Sequence, residues 1–207
     1  MNLQLALDRL TWEECFQLLE ETKAYVDWIE VGTGVIKEYG MSIVREIKKS
    51  YPDKVLVADM KTCDAGSHEA AQAFLAGADI TTVMAFSADK TIEDTLETAK
   101  KYNKRIMIDL LGVTDRHRIV ELQQLGVDLV SLHFGKDMQK QGELGAEQFS
   151  LTEGFINLEV ATAGGISLAS LPKVVETRPD TIIVGSAITK AENPSEAAAA
   201  MKGMLNK

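Results

Sequence analysis

Eight short runs rich in apolar and β-branched residues alternate, from one end of the chain to the other, with longer amphipathic stretches. The runs lie at 3–7, 28–31, 55–58, 80–84, 105–108, 129–132, 155–161 and 181–184. Several are apolar throughout, as strands covered on both faces are. Between them, residues 12–22, 41–50, 65–76, 91–101, 115–125 and 195–205 carry helical periodicity. Thr11 stands three residues before Glu14, the spacing of a capping box at the start of the first helix. The similar segments AGADI (76–80) and LGVDL (125–129) each put a glycine where a helix should end, just before the next strand.

Eight such alternations close naturally into a (β/α)8 barrel; the competing arrangement is an open, doubly wound sheet. Two features favour the barrel. No G-x-G-x-x-G follows the first strand, and polar residues recur at the C-terminal ends of many strands. The expectation is an α/β chain forming one (β/α)8 TIM barrel over residues 1–207, with little inserted.

Charge narrows the partners. Twenty-two Lys and Arg against 31 Asp and Glu give a formal net charge of −9, and no basic cluster is present to neutralise nucleic-acid phosphates. With 45% hydrophobic residues the chain has the apolar content of a folded protein. No apolar run reaches the length needed to cross a bilayer, and the start, MNLQLALDRL, does not read as a signal peptide. Cys15 and Cys63 fit neither a metal spacing nor a disulfide framework. Cys15 reads as core and Cys63 as a small filler, and a reducing cytoplasm is the expected compartment.

In a barrel, residues ending the strands converge on one face. Here they are Asp8, Glu30, Asp59 with Lys61 and Asp64, Asp109, His133, Gly164-Gly165 and Gly185-Ser186. Carboxylates at the ends of apolar strands are informative, because a carboxylate is seldom buried without a partner or a metal. Asp59 and Lys61 are two apart and should face the same side of an extended strand, with Asp64 opening the next helical pattern. A lysine between two carboxylates is held protonated, which suits it to calm an oxyanion and disqualifies it as an imine-forming amine. Glu30 and Asp59 end neighbouring strands and have the hard oxygen ligands that Mg²⁺ takes; alternatively, they balance Lys61. His133 is either a satisfied core residue or the group best suited to carry a proton near neutrality. The glycine turns are either tight turns or an anion cup of backbone N–H groups.

Asp59-x-Lys61-x-x-Asp64, Ala6-Leu7-Asp8, Ile29-Glu30-Val31-Gly32, His133 and the two glycine turns together resemble the orotidine 5′-monophosphate decarboxylase suprafamily, over nearly the whole chain. Within it, the pattern is most similar to the branch that condenses formaldehyde with a sugar phosphate. The resemblance implies a metal-dependent aldol reaction, with Mg²⁺ or Mn²⁺, joining formaldehyde to D-ribulose 5-phosphate to give D-arabino-3-hexulose 6-phosphate. It assigns Glu30 and Asp59 to the metal, and Lys61, Asp64, Asp109 and His133 to catalysis. Asp8, Gly164, Gly165, Gly185 and Ser186 fall to the substrate. The related 3-keto-L-gulonate-6-phosphate decarboxylases carry Glu at Asp109, Arg at Lys136, Thr at Ala163 and Arg at Ser186. All four positions here side with the aldolase, although Lys136 keeps a cation. The resemblance also implies a homodimer in which Asp64 reaches the partner's site. The decarboxylase and a non-enzymatic sugar-phosphate binder are the alternatives.

Overall fold

A computed structural model describes residues 1–140, 142 and 145–206. Its strands are β1 (Asn2–Leu7), β2 (Trp28–Val31), β3 (Val55–Thr62), β4 (Ile80–Met84), β5 (Arg105–Asp109), β6 (Leu129–His133), β7 (Glu159–Ala163) and β8 (Thr181–Val184). Each pairs in parallel with the next and β8 pairs with β1, so the sheet closes into the expected barrel. Helices return the chain outside it: α1 (Trp12–Thr22), α2 (Thr33–Tyr39), α3 (Met41–Ser50), α4 (Gly66–Leu75), α5 (Asp89–Tyr102), α6 (His117–Gln124), α7 (Ala146–Ser150), α8 (Leu171–Glu176), α9 (Ser186–Thr189) and α10 (Pro194–Leu205). The Thr11–Glu14 capping box is formed in both directions. Gly77 and Gly126 both take positive φ just past their helices, the left-handed stop that the AGADI and LGVDL segments require.

Two expected strands are corrected. The seventh begins at Glu159 rather than 155, because Asn157 takes a left-handed conformation and Ile156 is 81% exposed, so the preceding apolar residues belong to a turn. The third runs on to Thr62 instead of stopping at 58. Helices α2, α7, α8 and α9 span only four to seven residues, too short to show a period in sequence.

The barrel interior is stacked in layers. Val57, Ile80, Met107, Leu129, Ala161 and Ile183 form a dry inner cluster, with Trp28 and Ala6 against it. Side chains alternate along a strand, so the residue two places on returns to the same face. From Trp28, Val57, Ile80 and Met107 that step reaches Glu30, Asp59, Thr82 and Asp109, and four places beyond Leu129 it reaches His133. A floor of hydrocarbon thus carries a polar layer at the C-terminal ends of the strands. Larger apolar clusters between sheet and helices hold the shell in place.

Candidate active site

Asp109, 2% exposed, organises the polar layer. Its Oδ1 accepts the Leu111 N–H at 2.9 Å, and its Oδ2 accepts from the Lys61 ammonium and lies 3.0 Å from His133 Nδ1. Lys61 also pairs with Asp59 Oδ1 at 3.2 Å. Asp59 is held on both oxygens: Thr33 Oγ1 donates to Oδ2 at 2.7 Å, and Thr82 Oγ1 donates to Oδ1 at 2.8 Å. Glu30 is buried beside it, with Gln4 Nε2 donating to Oε2 at 2.8 Å. Five residues from strands β2, β3, β5 and β6 therefore form one charged network.

The titrations follow from that geometry. Burial pushes the Glu30 carboxyl up to about 7, and the negative charge of Asp59 adds to the push. Burial alone would lower the Lys61 pKa, but Asp59 and Asp109 outweigh it and hold the ammonium above its ordinary range. Burial works against ionised Asp109, yet His133 and Lys61 bring it down to about 2. Burial likewise opposes an imidazolium at His133, and the hydrogen bond and charge of Asp109 raise its pKa nonetheless.

The second carboxylate flanking Lys61 is thus Asp109, not Asp64. Asp64 lies exposed in the loop between β3 and α4, and the helix starts only at Gly66. Among the described residues no hydrogen bond or ion pair joins it to the network. Cys63 is exposed rather than a filler, whereas Cys15 is buried in the core as expected. Asp8 directly follows β1 at the rim, its Oδ1 accepting the Gly34 N–H at 3.0 Å and its Oδ2 3.3 Å from Arg9. Lys136, also exposed, reaches Gln139 Oε1 at 3.3 Å.

The two glycine turns sit side by side, because β7 and β8 pair up to Ala163 and Ile183. A side chain on Gly164 would put its Cβ 2.4 Å from the Phe134 carbonyl oxygen, so only glycine lets this turn press against the end of β6. Gly185 precedes the single turn of α9, which starts at Ser186, and its carbonyl accepts the Ile188 and Thr189 N–H groups at 2.9 and 3.0 Å.

Among the described residues no three His, Cys, Asp or Glu side chains form a ready cage for a metal. The donor chemistry nevertheless fits a hard divalent ion that takes one or two carboxylates and completes its shell with water and substrate oxygens. Glu30 and Asp59 are two buried carboxylates side by side, and burial together with the Asp59 charge raises the Glu30 pKa to about 7. Gln4, Thr33 and Thr82 were not anticipated as parts of the site. The one available signal was their polarity inside otherwise apolar strands, which marks Gln4 and Thr82 but not Thr33.

Residues 1–201 match the family described as orotidine 5′-phosphate decarboxylase / HUMPS. The chain is 40% identical over 207 residues to the 3-hexulose-6-phosphate synthase of Bacillus subtilis (strain 168), covering 99% of each. A crystal structure of 3-hexulose-6-phosphate synthase from Salmonella typhimurium superposes with a TM-score of 0.97 at 35% identity, over 100% of this chain and 99% of that one. A 3-keto-L-gulonate-6-phosphate decarboxylase from Vibrio cholerae superposes with a TM-score of 0.88 at 28% identity, over 99% and 97%.

Proposed function

Because this chain belongs to the orotidine 5′-phosphate decarboxylase / HUMPS family, we propose that it is an aldolase of the 3-hexulose-6-phosphate synthase kind, condensing formaldehyde with D-ribulose 5-phosphate. The observation that carries the reading is the Lys61–Asp109–His133 network beside the Glu30 and Asp59 carboxylates. It unites a proton carrier, a fixed ammonium and two hard oxygen ligands on one barrel face.

Glu30 and Asp59 would hold Mg²⁺, or Mn²⁺, which would supply Lewis-acid polarisation when bound. With Nδ1 turned to Asp109, His133 presents Nε2 to the substrate and takes a proton from C1. Asp109 fixes the tautomer and favours the imidazolium that results. Lys61, kept protonated, donates to the enediolate oxygen as its charge develops. The C1 carbon then attacks formaldehyde, whose oxygen takes the proton that His133 removed from C1. Asp8 hydrogen-bonds sugar hydroxyls, while Gly164, Gly165, Gly185 and Ser186 hold the phosphate and so orient the reacting end. A net charge of −9 is compatible with a phosphorylated ligand because backbone N–H groups need no basic surface.

The test is incubation of the protein with formaldehyde and ribulose 5-phosphate. Formaldehyde should disappear with Mg²⁺, persist with EDTA, and disappear again on readdition. Borohydride added with ribulose 5-phosphate alone, without formaldehyde, should trap no adduct on Lys61, since a protonated amine forms no imine. A trapped adduct overturns the reading. Lys136 retains a cation where the decarboxylases carry arginine, which favours keto-gulonate phosphate decarboxylation as a second reading. Release of CO₂ from that substrate, without formaldehyde consumption, would replace the first.

A further inference from the structure

The pairing of β3 with β4 is irregular at the site. Ala58 pairs with Thr81 and Thr62 with Val83, so Asp59, Met60 and Lys61 all stand opposite Thr82 alone. The bulge bends Lys61 into a left-handed backbone, φ +49°, which a lysine seldom adopts. Plain strand alternation is therefore not what aims Asp59 and Lys61 at each other.

Thr82 closes the bulge. Its hydroxyl accepts the Lys61 backbone N–H at 2.9 Å and donates to Asp59 Oδ1 at 2.8 Å, and the residue is 2% exposed. One oxygen thus satisfies a displaced amide and orients the carboxylate beside the same lysine. A buried amide without an acceptor is costly, so the strained turn needs this hydroxyl or a substitute for it. We propose that Thr82 is a positioning residue that holds the β3 bulge and thereby aims Lys61 and Asp59. Its part in turnover rests on the roles proposed above for those two side chains; its part in holding the backbone does not.

Thr82→Val removes the hydroxyl at nearly constant volume, and Thr82→Ser keeps it. In Thr82→Val, hydrogen exchange at the Lys61 amide should accelerate about ten-fold or more, while the amides of Leu5 and Ile108 keep their protection. Its kcat should fall about 30- to 100-fold, with KM for ribulose 5-phosphate within about three-fold of the parent. Thr82→Ser should restore both the exchange rate and kcat. Thr82→Ala, compared with Thr82→Ser, makes the same contrast without the bulk of valine. The proposal is overturned if the Lys61 amide is as protected in Thr82→Val and Thr82→Ala as in the parent, or if Thr82→Ser is as impaired as both. A parent protein that leaves formaldehyde unconsumed would defeat the proposed reaction, and the exchange measurements would still decide for or against the Thr82 clamp.

Discussion

His133 Nδ1 lies 3.0 Å from Asp109 Oδ2, so the ring is held by one nitrogen and offers the other. Asp109→Asn keeps the shape but removes the charge that raises the His133 pKa, and its amide can donate to Nδ1 and leave the proton on Nε2. We expect kcat to fall about 100-fold or more. Exchange of the C1 proton of ribulose 5-phosphate into deuterated water, followed by NMR, should fall in parallel. Undiminished exchange in both Asp109→Asn and His133→Asn would move the base elsewhere.

Much of this arrangement is legible in the sequence itself. The bounds of β4 and β8 coincide with continuous runs of apolar and β-branched residues, because strands buried on both faces leave little room for polar ones, and those of β2 coincide with an apolar run broken only by Glu30. The polar layer was visible as carboxylates ending such runs. The partner of Lys61 was not, since a bulge depends on how β3 registers against β4, and a single-strand pattern carries no register. Asp109, 48 positions away, took the place that sequence proximity suggested for Asp64. Neutral side chains were the other blind spot: Thr33 looks like any residue opening a helix until its hydroxyl is seen on Asp59.

A second ion cluster lies at the opposite, N-terminal end of the barrel, where Asp79 precedes β4. Asp79, from the AGADI segment, accepts from Lys48 at 2.8 Å, Lys104 at 2.6 Å and the Leu56 N–H at 2.9 Å. Burial opposes its charge, but these three donors win and lower its pKa. A carboxyl with a folded pKa below the unfolded value, about 3.9, stabilises fully above that pH and loses its contribution as pH falls through the folded value. Asp79→Asn should therefore cost about 1–3 kcal/mol in urea unfolding at pH 7. The gap to the parent should narrow in acid. A gap independent of pH would mean that packing, not charge, accounts for the loss.

Gly164 couples stability to the proposed phosphate cup. Gly164→Ala forces a Cβ against the Phe134 carbonyl at a backbone φ of +125°, and backbone cannot yield as a flexible side chain can. We expect a loss of about 2–4 kcal/mol in thermal or urea unfolding. If the turn also faces the phosphate, KM for ribulose 5-phosphate should rise about ten-fold as the N–H groups shift. A lowered melting temperature with unchanged KM would leave Gly164 a packing residue only.

Asp64 is exposed, three residues beyond Lys61, and outside the network of its own chain, so the shared site that the family resemblance implies, with Asp64 serving a partner's Lys61, is open to a direct test. Mixing two inactive variants tests this. Take Lys61→Ala and Asp64→Asn, mix them in equal amounts, and allow protomers to exchange. If each site draws Lys61 from one protomer and Asp64 from its partner, every hybrid dimer contains one site in which both are intact. Random pairing makes about half the dimers hybrid, so about a quarter of the parent activity should return. If both residues serve the same protomer, every site keeps one lesson of damage or the other: Lys61 is missing from the first chain, Asp64 from the second, and mixing restores nothing. Gel filtration of the parent decides the premise beforehand, because a fully active monomer removes the shared site altogether.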